Sequence, residues 1–228
     1  MNINLENKDT LSGSLLIGGN SPPANPFGYN GSPLAASHMV KRAVLPLTLE
    51  EFLELPETKP PREYINGEIS QKPMPKTRHS RLQSKLTSTI NTVVEEGQIA
   101  YAFPELRCTF GGRSIVSDLA VLGWHQIEFD DEGEPVDDVF IAPDWTIEII
   151  SPGKSSNRVI GNILHCIKHG SQLGWLIDPY DRSVLVFLPN QQPELCQGSE
   201  SLVVLDGIEL QLTAEEIFGW LKMGSSAT

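Results

Sequence analysis

The sequence predicts an α/β protein in which helices pack on a mixed β-sheet, and three observations carry that expectation. Two stretches, Thr77–Glu96 and Val159–Ile167, place apolar residues at helical spacing. The runs around them are short, rich in Val, Ile and Leu, and bounded by Gly, Pro, Asn or Asp, as strands are. A strand–helix–strand unit over residues 145–177 needs a crossover, which implies a parallel pair inside an otherwise antiparallel sheet.

Taken in order, residues 1–46 are rich in Gly, Ser, Asn and Pro and lack apolar periodicity, so a disordered tail is expected there. A folded domain is expected over residues 47–222, with a short tail at 223–228. Thr48 and Glu51 have capping-box spacing for a short helix carrying Leu49, Phe52 and Leu53. REYINGEISQ reads as a hairpin turning at Asn66-Gly67. In the helix from Thr77, Leu82, Leu86, Ile90, Val93 and Val94 share one face, while Arg78, Arg81 and Lys85 share another. Strands are expected at Ile99–Phe103, Glu105–Phe110 and Arg113–Leu122, with a turn at Gly111-Gly112. An acidic loop, roughly His125–Val139, leads to the strand DWTIEII, which Pro152-Gly153 ends. A second amphipathic helix closes at Gly170, the strands LGWLID and SVLVFL follow, and IELQL is expected to be a last strand before a helix capped by Thr213 and Glu216.

Composition narrows the class. The 228 residues are 39% hydrophobic with a formal net charge of −12, and no stretch has the apolar length that a membrane-crossing helix needs. The N-terminus lacks a basic start followed by an apolar run, so a cytoplasmic protein without a secretory signal is expected. Cys108, Cys166 and Cys196 are widely spaced, which argues against a disulfide framework or a zinc site. No Walker loop, GxGxxG or GxSxG occurs, so nucleotide hydrolysis and serine-hydrolase chemistry have no support.

Net acidity opposes a nucleic-acid partner, but the charge is segregated. Between Ile69 and Val94 there is no acid, while Lys72, Lys76, Arg78, Arg81 and Lys85 fall there. Between Ser114 and Gly153 there is no Lys or Arg, while ten acids fall there, among them Asp144 and Glu148. Such a division serves a polyanion held across a metal site, or equally two solvated faces.

Two carboxylates interrupt apolar strands: Asp118 in SIVSDLAVL and Glu148 in WTIEIIS. On a strand, Glu148 points with Thr146 and Ile150, away from Ile147 and Ile149. A charge among Ile and Val is costly unless it is paired or bound to a metal. If the two strands are neighbours, the acids converge on one cation, and oxygen-only ligation suits Mg²⁺ or Mn²⁺ rather than zinc. Alternatively each acid caps a sheet edge or pairs with Arg107, Arg113 or Arg158. His165 and His169 have metal-ligand spacing on a helix but no evident third ligand, and read as helix-face residues.

The order Gly67-Glu68, His79 on the basic helix, Asp118, Glu148-Ile149-Ile150, a helix and then GWLIDP resembles a bacterial branch of the PD-(D/E)XK nuclease superfamily, the Uma-type restriction-endonuclease family. The resemblance spans about Leu47–Leu221, and APDWTIEIISP and QLGWLIDP are its most specific pieces. It implies a restriction-endonuclease-like core: a central mixed sheet flanked by helices, with Asp and Glu binding Mg²⁺ or Mn²⁺ and a basic residue assisting hydrolysis of a DNA phosphodiester. Asp118 then matches the first metal ligand, Glu148 the second, and the Ile149 carbonyl a third. Glu68 and His79 match the acidic and histidine positions that the family places upstream of the site.

The chain departs from that pattern in three places. Ser117 stands for the Pro of the PD pair and Ile150 for the Lys of the ExK triplet. Where the branch often draws a lysine from the following helix, this chain has Asn162, and Lys154, Arg158 and Lys168 are the nearest basic candidates. The expected function is a metal-dependent DNA endonuclease anchored on phosphates by Lys76, Arg78, Arg81 and Lys85. The rival is a catalytically silent nucleic-acid- or protein-binding module on the same fold, favoured by the missing lysine. A homodimer would suit the cutting of two strands, though no interface is legible in the sequence.

Overall fold

A computed structural model of the chain describes residues 47–152 and 155–224. The tail expected at residues 1–46, Lys154 and residues 225–228 lie outside these. The order of elements is α1 (Leu49–Leu53), β1 (Arg62–Ile65), β2 (Glu68–Gln71), α2 (Thr77–Val94), β3 (Ala100–Pro104), β4 (Arg107–Phe110), β5 (Arg113–Val116), β6 (Leu119–Gly123), β7 (Trp145–Ile149), α3 (Ser156–Lys168), β8 (Leu173–Asp178), β9 (Ser183–Phe187), β10 (Glu194–Gln197) and α4 (Ala214–Gly219).

The strands form two sheets. One has six strands in the order β10-β9-β8-β7-β6-β3, and the other has four in the order β2-β1-β5-β4. Only β7 and β8 in the larger sheet run parallel, joined by α3, as the strand–helix–strand pattern requires. Alternation along β8 sets the two faces of that sheet. Leu173, Trp175 and Ile177 join the core formed with Leu82, Leu86, Ile90 and Val94 of α2 and with α4. Leu176 on the opposite face packs with Val159 and Ile163 of α3. Trp145 and Trp175 meet edge to face in the first core, their ring centroids 4.6 Å apart. The central mixed sheet flanked by helices is the one expected from the sequence.

Local signals operate as anticipated at both capping boxes, Thr48–Glu51 and Thr213–Glu216. The β1–β2 hairpin turns through Asn66 and Gly67 at φ 53° and 86°, the positive values that make Asn-Gly suitable there. The exposed edge of β3 is closed by a side chain. The Asn91 amide of α2 donates to the Ala102 carbonyl at 3.0 Å and accepts from its N–H at 2.8 Å, replacing a neighbouring strand.

Two expectations need correction. Arg113–Leu122 is not one strand: β5 belongs to the small sheet and β6 to the large one, and the chain changes sheets at Ser117-Asp118. Both halves are apolar because both are covered, so periodicity alone hides the break. IELQL is not a strand either. Ile208 and Leu212 are buried in the main core from an irregular segment, held by the Leu202 N–H donating to the Leu212 carbonyl at 2.8 Å. The last strand is instead β10, an edge strand paired with β9.

Candidate active site

The sheet-switching point places a carboxylate where the two sheets and two helices meet. Asp118 precedes β6, β6 pairs antiparallel with β7, and Glu148 lies near the end of β7. Asp118 thus stands just before the strand that neighbours the one carrying Glu148. Both are almost wholly enclosed, at 1% and 2% exposure.

The groups around Asp118 come from distant parts of the chain. Its Oδ1 accepts from Lys72 Nζ at 2.7 Å, and its Oδ2 lies 2.9 Å from His79 Nε2 and accepts from the Ile149 N–H at 2.8 Å. Gln83 of α2 donates to the Asp118 carbonyl at 2.8 Å, so both the backbone and the carboxylate of this residue are fixed. Lys72 Nζ also stands 3.8 Å from Glu148 Oε2 and donates to the Val116 carbonyl at 2.6 Å. One ammonium thus faces both carboxylates. Burial alone would lower the Lys72 pKa, but attraction to Glu148, Asp118 and Glu63 outweighs it and holds the ammonium above its ordinary value.

Glu63 of β1 is the second residue that the sequence reading missed. Buried beside Lys72, it accepts from the Val116 N–H at 3.1 Å and from the Asn162 amide at 3.4 Å. Glu68, the expected upstream acid, is exposed in β2 next to the hairpin turn. Glu63 and Glu68 share one face of the hairpin, since Glu63 pairs with Ser70 and Glu68 with Ile65, but Glu68 stands beside the turn in solvent whereas Glu63 lies farther from it, against Val116 and Lys72. Arg107 and Arg113 are engaged elsewhere, by Glu57 and Asn66, so the sheet acids face Lys72 rather than either arginine.

The remaining expected residues divide. His79, although in a strongly basic run, is buried against Asp118 because it shares the inward side of α2 with Leu82 and Leu86. Ile149 touches Asp118 through its N–H. Lys76 and Arg78 are exposed at the start of α2, with the Arg78 guanidinium 5.4 Å from the Tyr180 ring centroid. Arg81 is half-buried and donates to the Trp220 carbonyl at 3.2 Å, and Lys85 is half-buried one turn on. Of the basic candidates after Glu148, Arg158 lines a cleft with Lys72 and Glu63, whereas Lys168 lies by the His165–His169 pair. Those histidines pack on Phe110, with His165 buried and its Nε2 3.2 Å from the Phe110 carbonyl.

Two clefts flank Lys72. One, of about 180 Å³, reaches Asp118 and His79 between the segments Lys59–Pro61 and Pro73–Pro75. The other, of about 540 Å³, is lined by Glu63, Gln71, Ser155 and Arg158. Among the described residues, no group of three or more His, Cys, Asp or Glu is arranged to hold a metal ion, and no helix is long and apolar enough to cross a membrane.

This architecture, with an Asp just before one strand, a Glu on the neighbouring strand and a lysine beside both, is a restriction-endonuclease-like fold. The chain belongs to the Uma2 family, described as "Putative restriction endonuclease", whose model matches residues 49–215. It is similar to a structure described as a putative nuclease belonging to DUF820 from Anabaena variabilis ATCC 29413. The two are 50% identical with a TM-score of 0.75, over 77% of this chain and 99% of that one. A DrdV–DNA complex matches at 11% identity and a TM-score of 0.27, over 62% of this chain and 13% of that one. No curated protein matches.

Proposed function

We propose that this protein is a metal-dependent DNA endonuclease, with Asp118 and Glu148 holding Mg²⁺ or Mn²⁺ and the Ile149 carbonyl as a further ligand. The observation that carries this reading is the Lys72 ammonium, 2.7 Å from Asp118 and 3.8 Å from Glu148. The two carboxylates are set to face one cationic centre, and their donors are all oxygen, which fits a hard divalent cation. Mg²⁺ in particular is commonly held by one or two carboxylates, with substrate phosphate and water completing its shell. A divalent cation there supplies Lewis acidity toward the phosphate oxygens.

The chain's own residues do the rest. Lys72 remains protonated at neutral pH and places a fixed positive charge where negative charge develops on the phosphate. Glu63 orients Lys72 and the Val116 peptide. His79 and the Ile149 N–H hold Asp118 in one rotamer. Lys76, Arg78, Arg81 and Lys85 lie along α2, where contacts to DNA phosphates position the strand without reading its sequence. The motives for a silent module are the absence of lysine at Ile150 and Asn162 and the net charge of −12. Lys72 brings an ammonium to the acids from the segment after β2, which answers the first of these.

The test is Mg²⁺-dependent relaxation of supercoiled plasmid by the wild type beside Asp118→Asn, Glu148→Gln and Lys72→Met, with circular dichroism confirming each fold. Cleavage in the wild type and its loss in all three folded variants is expected. Cleavage that survives in Asp118→Asn or Glu148→Gln overturns the assignment.

A further inference from the structure

Asp118 is recessed, and the cleft that reaches it carries an exposed thioether. Met74 is 65% exposed, yet it lines the same cleft as Asp118 and His79. It sits in the sequence Lys72-Pro73-Met74-Pro75-Lys76. Both prolines have fixed φ, and Pro75 also restricts the backbone of Met74, so this short span has little freedom to lose on contact.

Both ends of the span are tied to the site. Lys72 donates its N–H to the Pro61 carbonyl at 2.9 Å and its Nζ to Asp118. Three residues beyond Lys76, His79 meets Asp118 from the other side. Pro60 and Pro61 form the facing wall of the cleft, with the exposed Lys59 beside them. Scattered surface hydrophobes need no explanation. Met74 differs because it stands between prolines on the cleft that reaches Asp118, with Lys76 and Arg78 exposed on one side of it.

We propose that Met74 is a wedge that inserts between base pairs of duplex DNA at or beside the step to be cut. This rests on the endonuclease reading and deepens it, naming a residue that sets the substrate's shape. Proteins that kink DNA insert Met, Leu, Ile, Phe or Pro side chains between base steps and partly unstack them. The need for such a device follows from the site. A cleft of about 180 Å³ leading to Asp118, which is 1% exposed, has no room for a stacked base pair. Opening a step lengthens and bends the backbone locally, letting one phosphate project toward Lys72. Lys76 and Arg78 hold the flanking phosphates meanwhile. Preference at the cut is then for easily opened steps, such as pyrimidine–purine steps or mispairs, with no hydrogen bond to a base edge.

The experiment uses the full chain and a short duplex spanning a cut mapped in the wild type. 2-Aminopurine, whose fluorescence rises on unstacking, replaces the base on either side of the cut, and EDTA prevents cleavage. Wild-type protein is expected to raise the fluorescence at one of these positions. Met74→Ala should bind with affinity within about threefold, because phosphate contacts dominate binding, but should give no rise. With Mg²⁺, Met74→Ala should cut paired DNA about tenfold more slowly, and a single mispair at the step should restore its rate, because unstacking is least costly there. Met74→Leu keeps an apolar wedge and should behave as the wild type. Equal fluorescence and equal paired-to-mispaired ratios in the wild type and Met74→Ala overturn the wedge while leaving the nuclease intact. A wild type that neither binds nor cuts DNA overturns the endonuclease reading and the wedge with it.

Discussion

Lys72 Nζ lies 2.7 Å from Asp118 Oδ1 although the two residues are 46 positions apart. The hairpin after α1 exists in part to make this contact, since the Lys72 N–H is fixed to Pro61 while its side chain crosses to the other sheet. Lys72→Met removes the ammonium that stands 2.7 Å from Asp118 and 3.8 Å from Glu148, and loss of one partner of a buried pair costs about 3–5 kcal/mol. We expect a lower Tm, and cleavage reduced by about a hundredfold or more. Added Mg²⁺ should raise the Tm of Lys72→Met more than that of the wild type, because the ion restores the missing charge. Differential scanning fluorimetry across a Mg²⁺ titration checks this, and equal shifts in the two proteins would count against it.

Asn91 offers a test of the fold that leaves the site alone. Its amide makes paired hydrogen bonds with the Ala102 peptide at the edge of β3. Asn91→Leu fills similar space but strands a buried N–H and a buried carbonyl, each costing about 1–3 kcal/mol. Urea denaturation should show a loss in that range, with cleavage at low temperature unchanged.

These two residues illustrate what was legible in the sequence. The helices, the Asn-Gly turn and the parallel pair were readable because each follows from short-range spacing. Asp118 and Glu148 stood out as charges in apolar runs; Glu148 lies on β7, and Asp118 stands at the bend just before the neighbouring β6. Lys72 and Glu63 were not readable as site residues. Lys72 is one cation among several in a basic stretch, and Glu63 shares a hairpin face with Glu68, so only packing against Val116 and Lys72 tells the buried acid from the exposed one. The break at Ser117-Asp118 was hidden for a related reason, since coverage of both sheets erases the alternation that would mark it. The resemblance carried the fold, and three-dimensional closure supplied the lysine.

His165 gives the protein an acid-sensitive joint. Burial, with further lowering by Arg113, His169 and Lys168, brings its pKa down to about 4 against the ordinary 6.5, despite the hydrogen bond with Phe110. The unfolded chain takes up this proton near pH 6.5 and the folded chain only near pH 4. Stability from the neutral ring is therefore complete above pH 6.5 and drains away as the pH falls toward 4. His165→Gln keeps a donor for the Phe110 carbonyl and cannot titrate. Its Tm should fall less than that of the wild type across this window, and parallel acid limbs would exclude the His165 contribution.

Gly174 sets how closely α3 approaches the sheet that carries Glu148. A Cβ at Gly174 would stand 2.4 Å from Ile163 Cγ2, and Ile163 is fully buried. The β-branched side chain is stiff at χ1, so the helix rather than the rotamer has to move. Gly174→Ala should therefore destabilise the protein by about 1–3 kcal/mol, as overpacking does. The same displacement shifts Asn162, one residue before Ile163, away from Glu63, loosening the support of Lys72. We expect cleavage to fall together with stability. Ile163→Ala alone leaves a cavity of its own, but combined with Gly174→Ala it makes room for the added methyl. The double variant should then be less destabilised than the sum of the single ones, a coupling of about 0.5–3 kcal/mol measured by denaturant unfolding of all four proteins. Additive losses would show that the helix does not bear on Gly174 through Ile163.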